Sequence, residues 1–120
     1  MNATIAKRHS FSAAHSLPLL PDWHKCHRKH GHNYVIECQV SGPVNEKGFV
    51  VDYADLQSFF GWVDDHLDHR DLNDVLRIQP TAENISAHLR VVATSLLSLD
   101  SEAYEVRVGV SETPNTWAWA

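Results

Sequence analysis

Apolar and polar residues alternate along several short stretches of the chain, and this two-residue period is typical of β-strands with one buried face. The alternation predicts two long strands near the start, over residues 5–15 and 33–40, and a third over residues 104–110. Shorter strands are predicted at residues 49–51 and 116–120, which are rich in β-branched or aromatic residues. If the first two strands pair antiparallel, the end of the first lies beside the start of the second.

Two longer stretches repeat their apolar residues at the spacing of an amphipathic helix. The first covers residues 56–67 and follows Asp52, a predicted N-cap, and the second begins after Thr81, also a predicted N-cap. A polar loop, residues 67–74, leads out of the first helix. This order of strands and helices in a chain of 120 residues predicts a single α+β domain over residues 1–120, in which a sheet carries two helices on one face.

The acidic charge balance argues against nucleic acid as a binding partner. The formal net charge is −5 at pH 7 and no basic stripe runs along the chain, so nucleic acid is not expected as a direct partner. No apolar run approaches the length of a membrane span, and no charged-then-apolar leader opens the chain. Cys26 and Cys38 need not pair, so a reducing cytoplasm is the expected location.

Candidate chemistry is concentrated near the start of the chain, where His15 is followed by the sequence His30-Gly31-His32. Residues two apart on a strand point to the same face, so His30 and His32 would present their imidazoles side by side. His15 closes the preceding strand and would join them if the strands pair as expected. Three nitrogen ligands leave one position of a tetrahedral ion open, as in catalytic zinc sites, and the pattern therefore predicts a Zn²⁺ site.

Cys26 precedes His30 by four residues and leaves two interpretations open. As a fourth ligand it would close the metal site and make it structural, and as a free thiol it would act on whatever the metal holds. Its neighbours Lys25, Arg28 and Lys29 form a basic cluster in an acidic chain. That cluster is either a solvated turn or a site for a phosphate-bearing ligand, since lysine and arginine pair well with phosphate.

Three further positions carry weaker local signals. Asp68 and His69 are adjacent in the polar loop, where they form either an oriented acid–base pair or a loop closure with an exposed imidazole. Local sequence alone favours the loop closure, because polar loops contain many such pairs. Glu112 ends an apolar strand, where a solvated carboxylate is the simplest interpretation, and Thr81 is locally a helix cap.

Six blocks of the sequence resemble the 6-pyruvoyltetrahydropterin synthase family in order and approximate spacing, and together they span nearly the whole chain. The blocks are Phe11-Ser12-Ala13-Ala14-His15, Cys26-x3-His30-Gly31-His32-Asn33-Tyr34, Gly48-Phe49-Val50-Val51-Asp52-Tyr53, Leu67-Asp68-His69-x2-Leu72-Asn73, Pro80-Thr81-x-Glu83-Asn84 and Glu112-Thr113. The resemblance implies the tunnelling fold, in which a four-stranded antiparallel sheet with two helices on one face joins the sheets of other subunits into a β-barrel. Such subunits generally assemble as two stacked trimers with sites at the interfaces, so a homohexamer is expected.

The resemblance also implies roles for individual residues. Three would hold zinc: His15, His30 and His32. Cys26 would be the catalytic thiol and not a fourth ligand, and Asp68 with His69 would complete a proton-transfer group, against their local interpretation. Glu112 would anchor a pterin by accepting N–H donors of its amino-pyrimidine ring, with Thr81 lying along the ring. Three residues are candidates to contact a triphosphate: His24, Lys25 and Arg28.

The implied activity is conversion of 7,8-dihydroneopterin triphosphate to 6-carboxy-5,6,7,8-tetrahydropterin, with release of acetaldehyde and triphosphate, in the biosynthesis of the 7-deazaguanine base queuosine. This branch of the family has three residues between the cysteine and the His-Gly-His sequence, as between Cys26 and His30. A pyruvoyl-forming or sepiapterin side-chain-cleaving relative would use the same residues. A third alternative is a non-catalytic module stabilised by zinc, with Cys26 as the fourth ligand.

Overall fold

A long antiparallel hairpin forms the centre of the sheet in the computed structural model, which describes residues 1–120. Its strands are β1, Asn2–His15, and β2, His30–Pro43. Their register pairs His15 with His30, at the end of the hairpin where residues 16–29 connect the two strands. The predicted antiparallel pairing is therefore confirmed, with His15 beside the start of the second strand.

The remaining elements extend this hairpin into a larger sheet and cover it. In chain order they are α1, Gln57–His66; β3, Arg70–Asp71; α2, Leu72–Val75; α3, Ala82–Leu97; β4, Glu105–Ser111; and β5, Ala118–Trp119. The strand order is β3-β1-β2-β4-β5, with every pairing antiparallel except that of β3 with β1. The predicted α+β class is confirmed, and within one chain the sheet is open. The sheet has five strands where the family resemblance implied four, because part of the predicted polar loop pairs with the edge of β1.

The two long helices, α1 and α3, pack on one face of the sheet, as predicted. Alternate residues of β2 and β4 point towards them and are almost completely buried: Tyr34, Ile36, Cys38, Val40, Val106, Val108 and Val110. The helices contribute buried residues that their spacing predicted, chiefly Phe59, Phe60, Val63, Ile85 and Leu89. Towards the end of α3 the buried residue is Ala93, whereas Leu96, predicted for the core face, is exposed. Removing this apolar surface from water is the main stabilising contribution to the fold. None of the helices is long and apolar enough to cross a bilayer.

Both predicted helix caps are present. Asp52 accepts the N–H of Ala54 at 2.9 Å and begins a short 3-10 turn, Tyr53–Leu56, that leads into α1. Thr81 Oγ1 accepts the N–H of Asn84 at 3.1 Å and starts α3. Each cap satisfies a backbone N–H that has no partner inside its own helix.

The two short predicted strands fare differently. Residues 49–51 are not a strand, because Asn45 Oδ1 accepts the N–H groups of Lys47 and Phe49, both at 3.0 Å, and holds the segment in a turn. The turn still delivers Val50 to the core, which accounts for the apolar pattern. The predicted strand 116–120 forms only as β5, where Ala118 pairs with Val110.

Candidate functional site

The predicted metal ligands converge at one end of the central hairpin. The register places His15 opposite His30 and His32 opposite Ala13, so the three imidazoles share the helix-facing side of the sheet. Their possible ligand nitrogens all lie within 4.8 Å of one another, and the ring centroids are separated by 4.6, 4.8 and 5.0 Å. His15 is completely buried, and the other two rings are half-buried. This group could hold a metal ion.

Backbone carbonyls orient two of these rings. His15 Nδ1 donates to the carbonyl of Pro80 at 2.7 Å, and His30 Nδ1 donates to the carbonyl of Arg28 at 2.8 Å. A carbonyl only accepts, so each ring carries its proton on Nδ1 and presents an Nε2 lone pair. The two Nε2 atoms face each other at 3.0 Å, which is unfavourable for two neutral acceptors and favourable around a cation. The donor set therefore fits a metal ion, whose histidine ligands are commonly held in this way.

His32 supplies the third nitrogen. Its Nε2 atom is buried and has no hydrogen-bond partner within the chain, and it lies 3.8 Å from Glu112 Oε2, beyond hydrogen-bond distance. Burial lowers the pKa of His15 and of His32, and the neighbouring imidazoles lower the pKa of His32 further. A neutral imidazole is the form that binds a metal ion, so the fold keeps these rings in the competent form.

Cys26 lies outside the three-nitrogen group. It occupies a single 3-10 turn, Lys25–His27, and is half-buried. His24 begins this turn, because its Nδ1 atom accepts the N–H of Cys26 at 3.0 Å. Both cysteines are free, and burial in the core raises the pKa of Cys38 to about 12. Cys26 is therefore the cysteine with access to a ligand.

The basic residues around Cys26 divide into two groups. Lys25 and Arg28 are exposed and form no ion pair within the chain. Lys29 instead pairs with the carboxylate of Asp71 at 2.6 Å, and this contact ties the start of β2 to the residue that caps α2. Only the first two side chains of the cluster are thus free to meet an anion.

Asp68 and His69 form a hydrogen-bonded pair, with 2.8 Å between Asp68 Oδ2 and His69 Nδ1. The backbone of Ser12 holds both residues: its N–H donates to Asp68 Oδ1 at 2.8 Å, and its carbonyl accepts the N–H of His69 at 2.6 Å. These bonds keep His69 at a positive φ of 58°. The Ser12 N–H, and after it His69, hold the pKa of Asp68 below its ordinary value. Asp68 thus closes the loop and also orients the imidazole, whereas the local sequence favoured loop closure alone.

A groove of about 560 Å³ adjoins His69. Its lining includes Ser12 and Asn33 and also His32, so the groove reaches the three-histidine site as well as His69. Cys26 does not line this groove and makes no hydrogen bond to Asp68 or His69. Within one chain, therefore, the structure does not join the thiol to the acid–base pair.

Thr81 and Glu112 line a second, smaller cavity of about 260 Å³. Thr81 reaches it from the start of α3, where it also caps that helix, and Glu112 is the residue directly after β4. The Glu112 side chain is 25% exposed and lies beside His32. Glu112 therefore links this cavity to the three-histidine site, although none of the three histidines lines the cavity. A carboxylate in this position suits a flat ring with N–H donors whose substituent extends towards the metal site.

Sequence reasoning missed several groups that shape the site. Tyr34 is completely buried, and its ring contacts His32 edge-on with 5.4 Å between centroids. The alternation that selected His30 and His32 also places Tyr34 on the same face, so a signal was available. The backbone groups of Ser12 and Pro80 gave no such signal, because every residue type carries them.

Comparisons with known proteins agree with this geometry. The sequence pattern of the family described as 6-pyruvoyl tetrahydropterin synthase matches residues 4–120. A protein of Archaeoglobus fulgidus described as a putative 6-carboxy-5,6,7,8-tetrahydropterin synthase is 41% identical over 110 residues, which cover 91% of this chain and 87% of that protein. The dihydroneopterin monophosphate aldolase of Pyrococcus furiosus is 38% identical over 86 residues, covering 72% of this chain and 70% of that one.

A solved structure shares both the fold and part of the sequence. The 6-pyruvoyl tetrahydropterin synthase of Caenorhabditis elegans superposes with a TM-score of 0.86 at 30% identity, covering 100% of this chain and 95% of that chain. The sequence pattern and the superposition both extend across all of the residues that build the three-histidine site. These matches show that the chain belongs to the 6-pyruvoyl tetrahydropterin synthase family.

Proposed function

We propose that this protein converts 7,8-dihydroneopterin triphosphate to 6-carboxy-5,6,7,8-tetrahydropterin, releasing acetaldehyde and triphosphate, as a zinc-dependent lyase of queuosine biosynthesis. The observation that carries the proposal is the convergence of His15, His30 and His32 beside the Glu112 carboxylate, which lines an adjoining cavity. Such a site can bind a flat pterin ring and a side-chain hydroxyl at the same time. The archaeal relative with 41% identity supports the carboxy-forming branch.

Zinc is the ion that we propose for the three histidines, because neutral imidazoles are among its preferred ligands. When bound, it would supply Lewis-acid chemistry, withdrawing electron density from a substrate hydroxyl so that the adjacent C–H becomes more acidic. The substrate's side chain is oxidised while its ring is reduced, so the reaction needs no separate redox cofactor. His15, His30 and His32 would hold the ion through the nitrogens that the fold leaves without a protein donor.

Glu112 would bind the pterin ring by accepting N–H donors from its amino-pyrimidine edge. A carboxylate is suited to this because its two oxygens can accept two parallel hydrogen bonds from such an edge. Thr81 would lie along the ring, since it lines the same cavity as Glu112. Together these residues would fix the direction in which the pterin side chain points.

Proton transfer would be carried out by Cys26, Asp68 and His69. Cys26 as a thiolate would take the proton from the activated carbon, and a thiolate is favoured near positive charge such as that of Lys25 or Arg28. Asp68 is held ionised and fixes the proton of His69 on Nδ1, so that Nε2 is the atom that exchanges protons with the substrate. The leaving triphosphate would meet Lys25, Arg28 and the remaining nitrogen of His24.

We further propose that the functional unit is a homohexamer in which the site is completed between subunits. Within one chain Cys26 and the Asp68–His69 pair do not share the groove beside His69. An open sheet with β3 and β5 at its edges also leaves backbone groups that assembly would pair. In such an assembly the Asp68–His69 pair of one subunit would serve the thiol of a neighbour.

Product analysis is the direct test of the reaction. Purified zinc-loaded protein is incubated with 7,8-dihydroneopterin triphosphate, and the products are identified by mass spectrometry. We expect 6-carboxytetrahydropterin, acetaldehyde and triphosphate. Accumulation of 6-pyruvoyltetrahydropterin would place the protein in the pyruvoyl-forming branch. Turnover of dihydroneopterin monophosphate in a parallel incubation, without turnover of the triphosphate, would favour an aldolase like the Pyrococcus relative.

The variant Cys26→Ala separates the enzyme from a zinc-stabilised module. We expect the variant to keep its zinc and its unfolding temperature while losing turnover, because Cys26 lies outside the three-nitrogen group. Cys38→Ala is the matched control, and it should keep turnover because Cys38 is buried in the core. Loss of both zinc and fold in Cys26→Ala would make this cysteine a fourth ligand and overturn the enzymatic role.

Mixing two inactive variants tests the shared site. Cys26→Ala and His69→Ala are unfolded together, refolded as a mixture and assayed with the same substrate. If the two residues act from different subunits, about a quarter of the sites in a random mixture would have both side chains intact. Recovery of activity is therefore expected, and a mixture as inactive as its components would place both residues in one subunit.

A further inference from the structure

Two buried side-chain atoms of this protein have no hydrogen-bond partner within the chain, and they belong to residues two apart on β2. They are Nε2 of His32 and the hydroxyl oxygen of Tyr34. The proposed metal accounts for the nitrogen, because a ligand atom has no need of a protein donor. Nothing in the proposed reaction uses the hydroxyl. Buried polar groups are nearly always paired, so this one calls for a partner that the loaded site supplies.

Packing prevents the Tyr34 hydroxyl from turning to water. The side chain is completely buried, and its ring stacks on Phe11 with 4.9 Å between centroids and 8° between planes. On the other side, His15 and His32 meet the ring edge-on, with centroids at 6.0 and 5.4 Å. A ring held on both sides keeps its hydroxyl in one place, and a partner must therefore come to it.

Glu112 is the neighbouring group that can accept from this hydroxyl. β2 and β4 pair up to Val35 and Ser111, so Tyr34 and Glu112 are the next residues along the two strands. Glu112 is on the same side of the sheet as Tyr34, because its Oε2 atom lies 3.8 Å from His32 Nε2. The carboxylate thus lies near His32 Nε2 and on the same side of the sheet as Tyr34, and it hydrogen-bonds to neither buried group.

We propose that Tyr34 is a positioning residue of this site, whose hydroxyl holds one oxygen of the Glu112 carboxylate once His32 ligates a metal ion. A ligating nitrogen has no proton to offer Glu112, whereas a phenol at neutral pH has one. The bond would be charge-assisted and would leave the other carboxylate oxygen directed at the N–H donors of the pterin. The inference rests on the proposed function, because it assigns Glu112 to the ring.

The first test is the affinity for a pterin that cannot react. Zinc-loaded wild type and Tyr34→Phe are titrated with neopterin, whose fluorescence reports binding, and zinc content is measured in both. Losing one hydrogen bond to a charged group should weaken neopterin binding roughly tenfold without loss of zinc. Tyr104→Phe is the control, since Tyr104 packs against Gly42 at the far end of the sheet. Unchanged affinity in Tyr34→Phe would overturn the proposal.

A double-mutant cycle shows whether Tyr34 acts through Glu112. Glu112→Gln alone should weaken neopterin binding more than Tyr34→Phe, and the double variant should bind no worse than Glu112→Gln. Additive losses would mean that the hydroxyl acts elsewhere. A purely structural role for the hydroxyl would instead appear as a lower unfolding temperature of Tyr34→Phe before zinc is added.

Thermal unfolding of the same four zinc-loaded proteins separates this inference from the proposed function. If wild type itself fails to bind neopterin, the pterin reaction is refuted, and the unfolding cycle still tests the contact. Coupling between Tyr34 and Glu112 should make the double variant less destabilised than the sum of the single changes. Additive changes in unfolding temperature would overturn the role of Tyr34 whatever the ligand is.

Discussion

The three-histidine site and His69 lie near one end of the central hairpin, and they differ in the partner that fixes the ring nitrogen Nδ1. In the three-histidine site, His15 and His30 donate their Nδ1 protons to backbone carbonyls. In the loop after α1, His69 bonds through Nδ1 to the carboxylate of Asp68, and its side chain is 81% exposed. Histidine side chains thus have two kinds of hydrogen-bond partner in this protein, and the two kinds differ in how deeply the ring is buried.

The difference fits the proposed division of roles between metal binding and proton transfer. A carbonyl is neutral, so it fixes the tautomer of a buried ring and leaves the far nitrogen as a lone pair for a cation. A carboxylate also stabilises the protonated ring that forms when an imidazole accepts a proton, and exposure allows that proton to move on. The hydrogen-bond partner of Nδ1, and not the histidine itself, thus indicates which chemistry each ring can perform.

The largest effect should come from removing a ring of the three-histidine site. His32→Ala deletes one of the three proposed ligands, and zinc affinity should fall by more than about 100-fold, with turnover lost in proportion. Zinc content after dialysis against a competing chelator measures this. His88→Ala is the control and should keep its zinc, because His88 lies on α3 beside Trp62 and outside the three-histidine group. A fully loaded and active His32→Ala would show that this ring is not a ligand.

A smaller effect is expected when the carboxylate partner of His69 is removed. Asp68→Asn leaves the ring in place but weakens its orientation and its charged partner, so kcat should fall on the order of 100-fold while zinc content stays constant. Asp64→Asn is a matched control, because Asp64 also pairs with a histidine, His9, at 2.6 Å. Loss of zinc in Asp68→Asn would contradict the assignment of separate roles to the three-histidine site and the Asp68–His69 pair.

The smallest effect concerns acid stability. The Ser12 N–H and His69 hold the pKa of Asp68 below its ordinary value, which is about 3.9 in an unfolded chain. The folded state therefore gains stability from this carboxylate above that pH, and loses it as pH falls through the lower, folded pKa. Wild type should unfold at a higher temperature than Asp68→Asn near neutral pH, and the gap should close in acid.

Thermal unfolding between neutral pH and pH 3 measures this gap. Glu46→Gln in an exposed turn is the control and should differ from wild type little at any pH. A gap for Asp68→Asn that stays constant into acid would mean that the lost contacts do not depend on the charge of the carboxylate.

Much of the three-histidine site could be predicted because it depends on short-range geometry. His30 and His32 share a face by strand alternation alone, and His15 joined them through the simplest pairing of two adjacent strands. Residues 49–51 show the limit of such patterns, since the same apolar run that suggests a strand also suits a turn that buries Val50. Alternation reports which side chains are buried, and it does not report where the backbone finds its hydrogen bonds.

The amino-acid sequence by itself determined the α+β class, the two helices and their caps, and the face on which the three imidazoles lie, because each follows from the periodicity along a strand or helix or from the simplest pairing of neighbouring strands. Only the tertiary structure decided that Ser12 orders the Asp68–His69 pair, that Pro80 orients His15 and that Glu112 lies beside His32. These contacts join residues far apart in the chain, often through backbone atoms common to every residue type. No local pattern encodes them, and they exist only once the sheet and helices have packed.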